Sequence, residues 1–149
     1  MSISEIQEAV ESVSVWEELR NNIYETEVWL RTTIKEFLSE FDITQKQLSI
    51  LKILKEAKNE PMSTKQILAK MVDKSSDTSR LVDRLIDKGY VRKRKDPDDG
   101  RLIQVFIKYE GLRLIAQIED RMDELDRQFT LLGEEEAEQL NMLLEKARA

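Results

Sequence analysis

The sequence predicts a mainly α-helical protein with one small β-hairpin. Its 149 residues include only four glycines and two prolines, and apolar residues recur every three to four positions over most of the chain. The period changes to two only between residues 90 and 107, where two short strands are predicted. The length suits about one domain, which is enough to bury a core without disulfides or metal.

The composition argues against several classes of function. Cysteine and histidine are both absent, which removes thiol redox chemistry, the commonest metal ligands and the commonest general base. We therefore expect no enzyme, no cofactor and no metal site. No apolar run approaches the roughly 20 residues of a membrane span, and the first residues lack the basic and apolar regions of a secretory signal. A cytoplasmic protein without membrane contact is expected.

The first quarter of the chain, from about residue 4 to residue 41, is predicted to be helical. The pattern ends at Asp42, and a further helix then begins at a capping box formed by Thr44 and Gln47. The apolar positions are Ile6, Val10, Val13, Trp16, Leu30, Ile34, Phe37, Leu38 and Phe41 in the first segment and Leu48, Leu51, Ile53 and Leu54 in the second.

Two shorter helices follow, each preceded by hydroxyl side chains that can accept hydrogen bonds from the amides of a first helical turn. The second of them runs to Lys88, and Gly89 stands where a helix C-terminus favours a left-handed residue. The candidate caps are Ser63 or Thr64 for the first short helix and Ser75 or Ser76 for the second.

The hairpin comprises residues 90–95, a tight turn at 96–100 and residues 102–107, the last rich in β-branched and aromatic side chains. From about residue 110 the helical period returns for one long stretch, and a final helix starts after Gly133. The apolar positions there are Leu114, Ile115, Ile118, Met122, Leu125, Phe129, Leu140, Leu143 and Leu144.

Two short helices followed by a hairpin is the order of elements in a winged helix-turn-helix, in which the first helix braces the second for the major groove. The charge distribution agrees with this order. The net charge is −6, yet residues 62–108 hold 12 basic and 7 acidic residues, against 12 and 23 in the remainder. A basic middle predicts a local anion-binding surface, although charge alone equally allows an ordinary solvated surface.

The candidate DNA-binding side chains are hydroxyl and charged groups on the second short helix and the hairpin, because such groups meet phosphates and base edges. They are Ser75, Ser76, Asp77, Ser79, Arg80 and Arg84 on the helix and Lys93, Arg94, Lys95, Asp99 and Arg101 on the hairpin, or wing. The alternative for the two helix arginines is a surface ion pair with a nearby aspartate, and for Asp99 and Arg101 a simple turn pair.

Three motifs in order resemble the MarR family of transcriptional regulators. They are SDTSRLVDRL at residues 76–85 with KGYV at 88–91, DPDDGR at 96–101 continuing through Val105, Ile107 and Gly111, and TQKQL at 44–48 with Leu51. The likeness is close over about residues 41–112. The flanking helices match only in length and arrangement.

The resemblance implies one domain with a winged-helix core at about 42–111 and dimerisation helices at about 1–41 and 112–149. It implies a homodimer on a pseudo-palindromic operator, usually a repressor, that a small anionic or aromatic ligand often releases. By position, Asp99 and Arg101 correspond to the family's paired wing residues. The apolar stripes of the first and last helices exceed what a small core covers, which independently favours a partner interface.

Three positions depart from the family's pattern, and two further interpretations stay open. Gly100 stands where a wing arginine is common, Lys108 replaces a capping threonine, and Asp77 places a carboxylate on the reading face, where it would repel phosphate but accept from cytosine. Asp77 and the overall acidity also allow an interaction module that binds protein rather than DNA. The aromatic residues Trp16, Tyr24 and Trp29 are candidates for a ligand pocket, although aromatics at helical spacing usually belong to a core.

Overall fold

The computed structural model describes residues 1–11, 13–58 and 60–149, which form eight α-helices, one 3₁₀ turn and one two-stranded antiparallel sheet. The elements are α1 (Ile3–Glu11), α2 (Val15–Ser39), α3 (Gln45–Glu56), α4 (Thr64–Lys70), α5 (Thr78–Asp87), β1 (Val91–Lys95), β2 (Ile103–Ile107), α6 (Tyr109–Glu119), α7 (Asp123–Asp126), a 3₁₀ turn (Arg127–Phe129) and α8 (Glu134–Arg148). Within these described ranges, no helix has the length and apolarity needed to cross a membrane.

The chain divides into two compact units, residues 1–37 and 38–149. The first unit contains α1 and most of α2. The expected helical segment is thus two helices, and Ser14 opens the second by accepting from the amide of Glu17 at 3.1 Å. Both helices of this unit keep large apolar side chains at the surface of the single chain, among them Ile6, Val10 and Leu19.

The core of the second unit is built where α3 packs against α4, α5, α6 and β2. Its fully buried side chains are aliphatic, and they come from every one of these elements. They include Ile50, Leu51, Leu54, Ile67, Val82, Leu85, Val105, Ile115 and Ile118. This core fixes the α4–α5 pair and the base of the hairpin relative to each other.

Two predicted helix starts are confirmed by the structure. Thr44 accepts from the amide of Gln47 at 3.2 Å while the Gln47 side chain accepts from the amide of Thr44 at 3.1 Å. Ser63, one of the two candidates for the next cap, makes the same reciprocal pair with Gln66. Each pair satisfies amides that a helix start otherwise leaves free.

The hairpin joins the core through its base rather than its tip. Val91 pairs with Ile107 and Lys95 with Ile103 in an antiparallel register, and both Val91 and Val105 are buried. Met62 exchanges two backbone hydrogen bonds with Val105, at 3.2 and 2.8 Å, and so covers the outer edge of β2. The tip, residues 96–102, extends beyond these anchors.

The prediction of one long helix after the hairpin is wrong. The helix ends at Glu119, and the amides of Arg121, Met122 and Glu124 bond to carbonyls only three residues back, which tightens the backbone. At this break the Arg121 guanidinium lies 2.6 Å from Glu40, binds Glu124 at 2.8 and 2.9 Å, and lies over the Phe41 ring. These contacts tie the break to the end of α2, a tertiary effect that periodicity does not report.

Candidate nucleic-acid interface

Helix α5 separates its apolar and polar residues on opposite faces. Val82 and Leu85 are buried, whereas Ser79, Arg80 and Arg84 are exposed. This separation follows from the helical period, since residues three and four apart share a face. The exposed positions of α5 therefore present two guanidinium groups, a hydroxyl and the carboxylates of Asp83 and Asp87 to solvent.

The cap of α5 is Asp77, and the prediction of Ser75 or Ser76 is wrong. A carboxylate oxygen of Asp77 accepts from the amide of Arg80 at 3.2 Å. Aspartate is as good a cap as serine, and its charge also favours the positive end of the helix dipole. Asp77 thus has a structural role, while its side chain remains exposed beside the two arginines.

Ser76 does not lie on the exposed face, which corrects the prediction that it faces the groove. Only 7% of Ser76 is accessible, and within the described residues its hydroxyl oxygen and that of Thr78 have no hydrogen-bond partner. The backbone explains the burial. The amide of Ser76 bonds to the Asp73 carbonyl at 3.3 Å and its carbonyl accepts from Thr78 at 3.1 Å, a tight turn in which the Ser76 side chain is buried.

Ser75 is exposed, but its donors are already engaged. Its amide and its hydroxyl both donate to Asp73, at 2.9 and 2.6 Å, and the other Asp73 oxygen pairs with Lys46 at 3.1 Å. The Ser75 hydrogen bonds, followed by Lys46, lower the pKa of Asp73 to about 2. Neither Asp73 nor Lys46 is among the candidate residues predicted from the sequence.

The wing residues divide into two faces, because side chains alternate along a strand. Lys93 reaches helix α5 and binds Asp83 at 2.7 Å. Arg94 lies on the other face, where it stacks on the Phe106 ring at 4.6 Å and donates to Gln104 at 3.0 Å. Arg92, which is not among the candidates predicted from the sequence, stacks on the same ring at 4.7 Å. Its signal was present: Arg92 and Arg94 are two apart on a strand.

The wing tip is organised by carboxylates. Asp96 accepts from the amides of Asp98 and Asp99, at 2.8 and 3.1 Å, and these bonds lower its pKa. Asp99 in turn accepts from the amide of Arg101 at 3.1 Å and lies 3.5 Å from its guanidinium. The Arg101 side chain is 95% exposed, so this surface pair contributes at most about 1 kcal/mol and leaves the guanidinium accessible.

A groove of about 320 Å³ lies where the N-terminal ends of α3 and α5 meet, and it is lined by Thr44, Lys46, Gln47, Asp77, Arg80, Leu81 and Arg84. Three of these side chains are cationic. The groove joins the exposed face of α5 to the start of α3. Cationic side chains such as these are of the kind that contact phosphates and base edges.

The aromatic residues proposed as a pocket are all exposed in the single chain. Trp16, Tyr24 and Trp29 lie on α2, with 68%, 69% and 41% of their surfaces accessible. The prediction that they line a pocket is thus not met within one copy, because none of the three is enclosed. Trp16 and Tyr24 in particular are accessible to a surface outside this chain.

The fold and the exposed basic surface define a winged-helix protein of the DNA-binding class. Residues 43–103 match the model of the MarR family. A curated relative, the HTH-type transcriptional repressor IacR of Pseudomonas putida, is 31% identical over 113 residues. That match covers 75% of this chain and 66% of the repressor, just under two thirds of its length.

Solved structures share the architecture over nearly the whole chain. A mutant MarR of E. coli complexed with operator DNA has a TM-score of 0.76 at 24% identity, covering 91% of this chain and 99% of that one. The organohalide-sensing regulator RdhR in its 2,4-dichlorophenol-bound form has a TM-score of 0.82 at 18% identity, covering 93% and 82%. The chain is thus similar to transcriptional regulators of the MarR family, in sequence over its winged-helix region and in fold.

Proposed function

We propose that the protein is a homodimeric repressor that binds a pseudo-palindromic operator in double-stranded DNA and is released by a small aromatic or anionic ligand. The observation that carries this proposal is the exposed pair Arg80 and Arg84 on α5, beside a wing that is rich in lysine and arginine. A net charge of −6 disfavours indiscriminate binding to DNA. The local excess of cations favours binding through this one surface.

The chemistry of the surface suits both parts of DNA recognition. Arg80, near the N-terminus of α5, is in the position from which a recognition helix reads base edges, and a bidentate arginine–guanine contact is the commonest specific one. Arg84, Lys95 and Arg101 suit phosphate contacts or, at the wing tip, the minor groove. Ser79 completes the exposed face of α5.

A homodimer is supported by apolar surface that one copy leaves open. On α2, Trp16, Leu19 and Ile23 follow one another at helical spacing and are exposed, and on α8 Leu140 and Leu143 are exposed as well. Exposed apolar stripes on a helix usually mark an interface. Pairing also has a functional reason, since a two-fold dimer places two recognition helices about 34 Å apart on one side of the duplex.

The relatives support the repressor and ligand parts of the proposal. IacR is a repressor, MarR of E. coli binds operator DNA, and RdhR binds 2,4-dichlorophenol. These are properties of those proteins. Applied to this chain, they indicate that a panel of aromatic acids and chlorinated phenols is the appropriate first search for a releasing ligand.

The structure favours an interaction module that binds protein rather than DNA less than it favours a DNA-binding protein. That alternative rested on Asp77 and the overall acidity, and Asp77, like Asp83 on the same helix, has a partner within the chain. Asp77 caps α5 and Asp83 pairs with Lys93. These carboxylates therefore do not require a basic partner protein.

The deciding experiment is a mobility shift with DNA from upstream of the protein's own gene over a series of salt concentrations. Binding is expected to weaken steeply with salt, because each neutralised phosphate releases counterions. Arg80→Ala is expected to weaken operator binding about tenfold to a hundredfold and to leave the thermal midpoint unchanged. Arg113→Ala, which removes an exposed arginine from α6, is the matched control.

Two outcomes would contradict the proposal. One is the absence of binding to any upstream fragment at low salt. The other is equal operator affinity of the wild type and the Arg80→Ala variant, which would show that the exposed face of α5 does not read DNA.

A further inference from the structure

The segment that connects α4 to α5, residues 71–77, is held mainly by polar contacts. Val72 is fully exposed, and only Met71 and Ser76 of this segment are buried. The α5 cap, Asp77, lies at its end. The conformation of this turn therefore decides where the reading helix begins.

Asp73 is at the centre of these contacts. One carboxylate oxygen accepts both Ser75 donors, at 2.9 and 2.6 Å, and the other lies 3.1 Å from the Lys46 ammonium at the start of α3. The Asp73 carbonyl also accepts from the amide of Ser76. A single residue thus folds the turn onto itself and ties it to a neighbouring helix.

These bonds change the role expected of Ser75. A phosphate oxygen is an acceptor and requires a donor. Ser75 has one hydroxyl proton and one amide proton, and both are donated to Asp73. In this conformation Ser75 has no donor left for DNA, despite its exposed position at the interface.

We propose that Asp73 is a positioning residue for operator binding and that Ser75 acts through it rather than by touching DNA. The inference rests on the proposed function for its affinity measurements. The Asp73 carboxylate, held between Ser75 and Lys46, sets the turn that places the cap of α5. Loss of the carboxylate loosens this turn and displaces the reading face that contains Arg80.

Two other roles for these residues predict different operator affinities for the variants. If Ser75 contacts DNA directly, its removal and that of Asp73 act independently. If Asp73 only repels phosphate or competes for Lys46, its removal tightens operator binding. A double-mutant cycle distinguishes all three cases, because contacting residues couple and independent ones add.

The test measures operator affinity for wild type, Ser75→Ala, Asp73→Ala and the double variant. We expect each single substitution to weaken binding about three- to tenfold and the double variant to bind no more weakly than Asp73→Ala. Asp73→Asn keeps an acceptor for Ser75 but loses the ion pair with Lys46, so Ser75→Ala is expected to retain its effect in that background. Additive losses, or tighter binding by Asp73→Ala, overturn the proposal.

Asp87→Ala provides the control for charge, because it removes an exposed carboxylate at the end of α5 that lies outside the turn. Its affinity is expected to equal or slightly exceed that of the wild type. An Asp87→Ala loss as large as that of Asp73→Ala would overturn the positional explanation.

Amide hydrogen exchange in the DNA-free protein tests the same turn without an operator. Asp73→Ala is expected to speed exchange at Arg80, whose amide is held by the cap, and unchanged exchange there overturns the proposal. If the wild type binds no operator, the proposed function fails while this measurement still decides the role of Asp73. If Asp73→Ala does not fold, the exchange comparison is made with Ser75→Ala, for which the same acceleration is expected.

Discussion

Residues 62–108 and residues 1–37 differ in what they present to solvent. In the first region, apolar side chains such as Leu85 and Val105 are buried, and the exposed positions of α5 and β1 are largely charged. In the second region, exposed apolar side chains line α1 and α2, among them Ile6, Trp16 and Leu19. The apolar side chains of the first region are buried in a core that includes α3 and α6, whereas the second region keeps apolar surface open. The difference agrees with the proposed function, in which the winged-helix region binds DNA and the helical region binds a second copy of the chain.

The largest effect is expected from truncation in the closed core. Leu85→Ala removes a fully buried side chain and is expected to lower the free energy of unfolding by about 2–5 kcal/mol, because lost burial and a cavity add. Leu19→Ala, on the half-exposed surface of α2, is expected to cost under about 0.5 kcal/mol at protein concentrations where the chain is monomeric. Urea denaturation of both variants measures the contrast. Equal losses in the free energy of unfolding for the two variants would contradict the distinction between a buried core and an open apolar surface.

A second test breaks the proposed dimer. Leu19→Ser combined with Ile23→Ser makes one exposed stripe of α2 polar. We expect a monomer at micromolar concentration, measured by light scattering, and operator affinity lower by about a hundredfold, since the two half-sites are then bound independently. Asn22→Ser on the same helix is the control. A double variant that stays dimeric would exclude this stripe of α2 as the interface.

A smaller effect tests the junction between α5 and the wing. Gly89 has a φ of +83°, and a Cβ placed there meets no atom within 4 Å. Gly89→Ala therefore costs only backbone strain, about 1–2 kcal/mol. Gly100→Ala in the wing turn also meets open space, but its φ lies outside the left-handed region, and it is expected to be nearly neutral. The two variants are compared by their thermal midpoints. A larger fall in the midpoint for Gly100→Ala than for Gly89→Ala would contradict this account.

The smallest expected effect is a pH dependence in the turn before α5. The pKa of Asp73 is about 2 in the folded protein and about 3.9 in an unfolded chain. A lowered folded pKa adds stability that is fully present above about pH 4 and is lost as the pH falls toward 2. The stability difference between wild type and Asp73→Asn is therefore expected to shrink over that interval. A difference that stays constant from pH 5 to pH 2 would contradict the ionic contribution.

Local patterns predicted much of the fold. The capping box at Thr44, a helix cap at Ser63 or Thr64, the left-handed Gly89 and the hairpin were all predicted from neighbouring residues, and the structure has each of them, with Ser63 as the second cap. Each depends on contacts within a few positions along the chain. The family resemblance also rests on short motifs of consecutive residues.

Long-range contacts decided what the sequence left open or misplaced. Helical periodicity continues through residues 120–122, yet the helix ends there, where Arg121 meets Glu40 from another part of the chain. Lys93 was predicted as a DNA contact without any sign that it would bind Asp83, ten residues away. Ser76 carries a hydroxyl, a type of side chain that is common at interfaces with DNA, but the turn buries it.

The sequence by itself determined that this is a mainly helical, winged-helix protein similar to the MarR family, with a basic middle region, because charge, periodicity and capping are encoded locally. Only the tertiary structure decided which of those basic and hydroxyl groups are accessible and which are already bonded. The physical reason is that a side chain's availability depends on neighbours brought together by folding. Asp73, Ser75 and Lys46 form one hydrogen-bonded group across two elements, although the lysine lies far from the other two in the sequence.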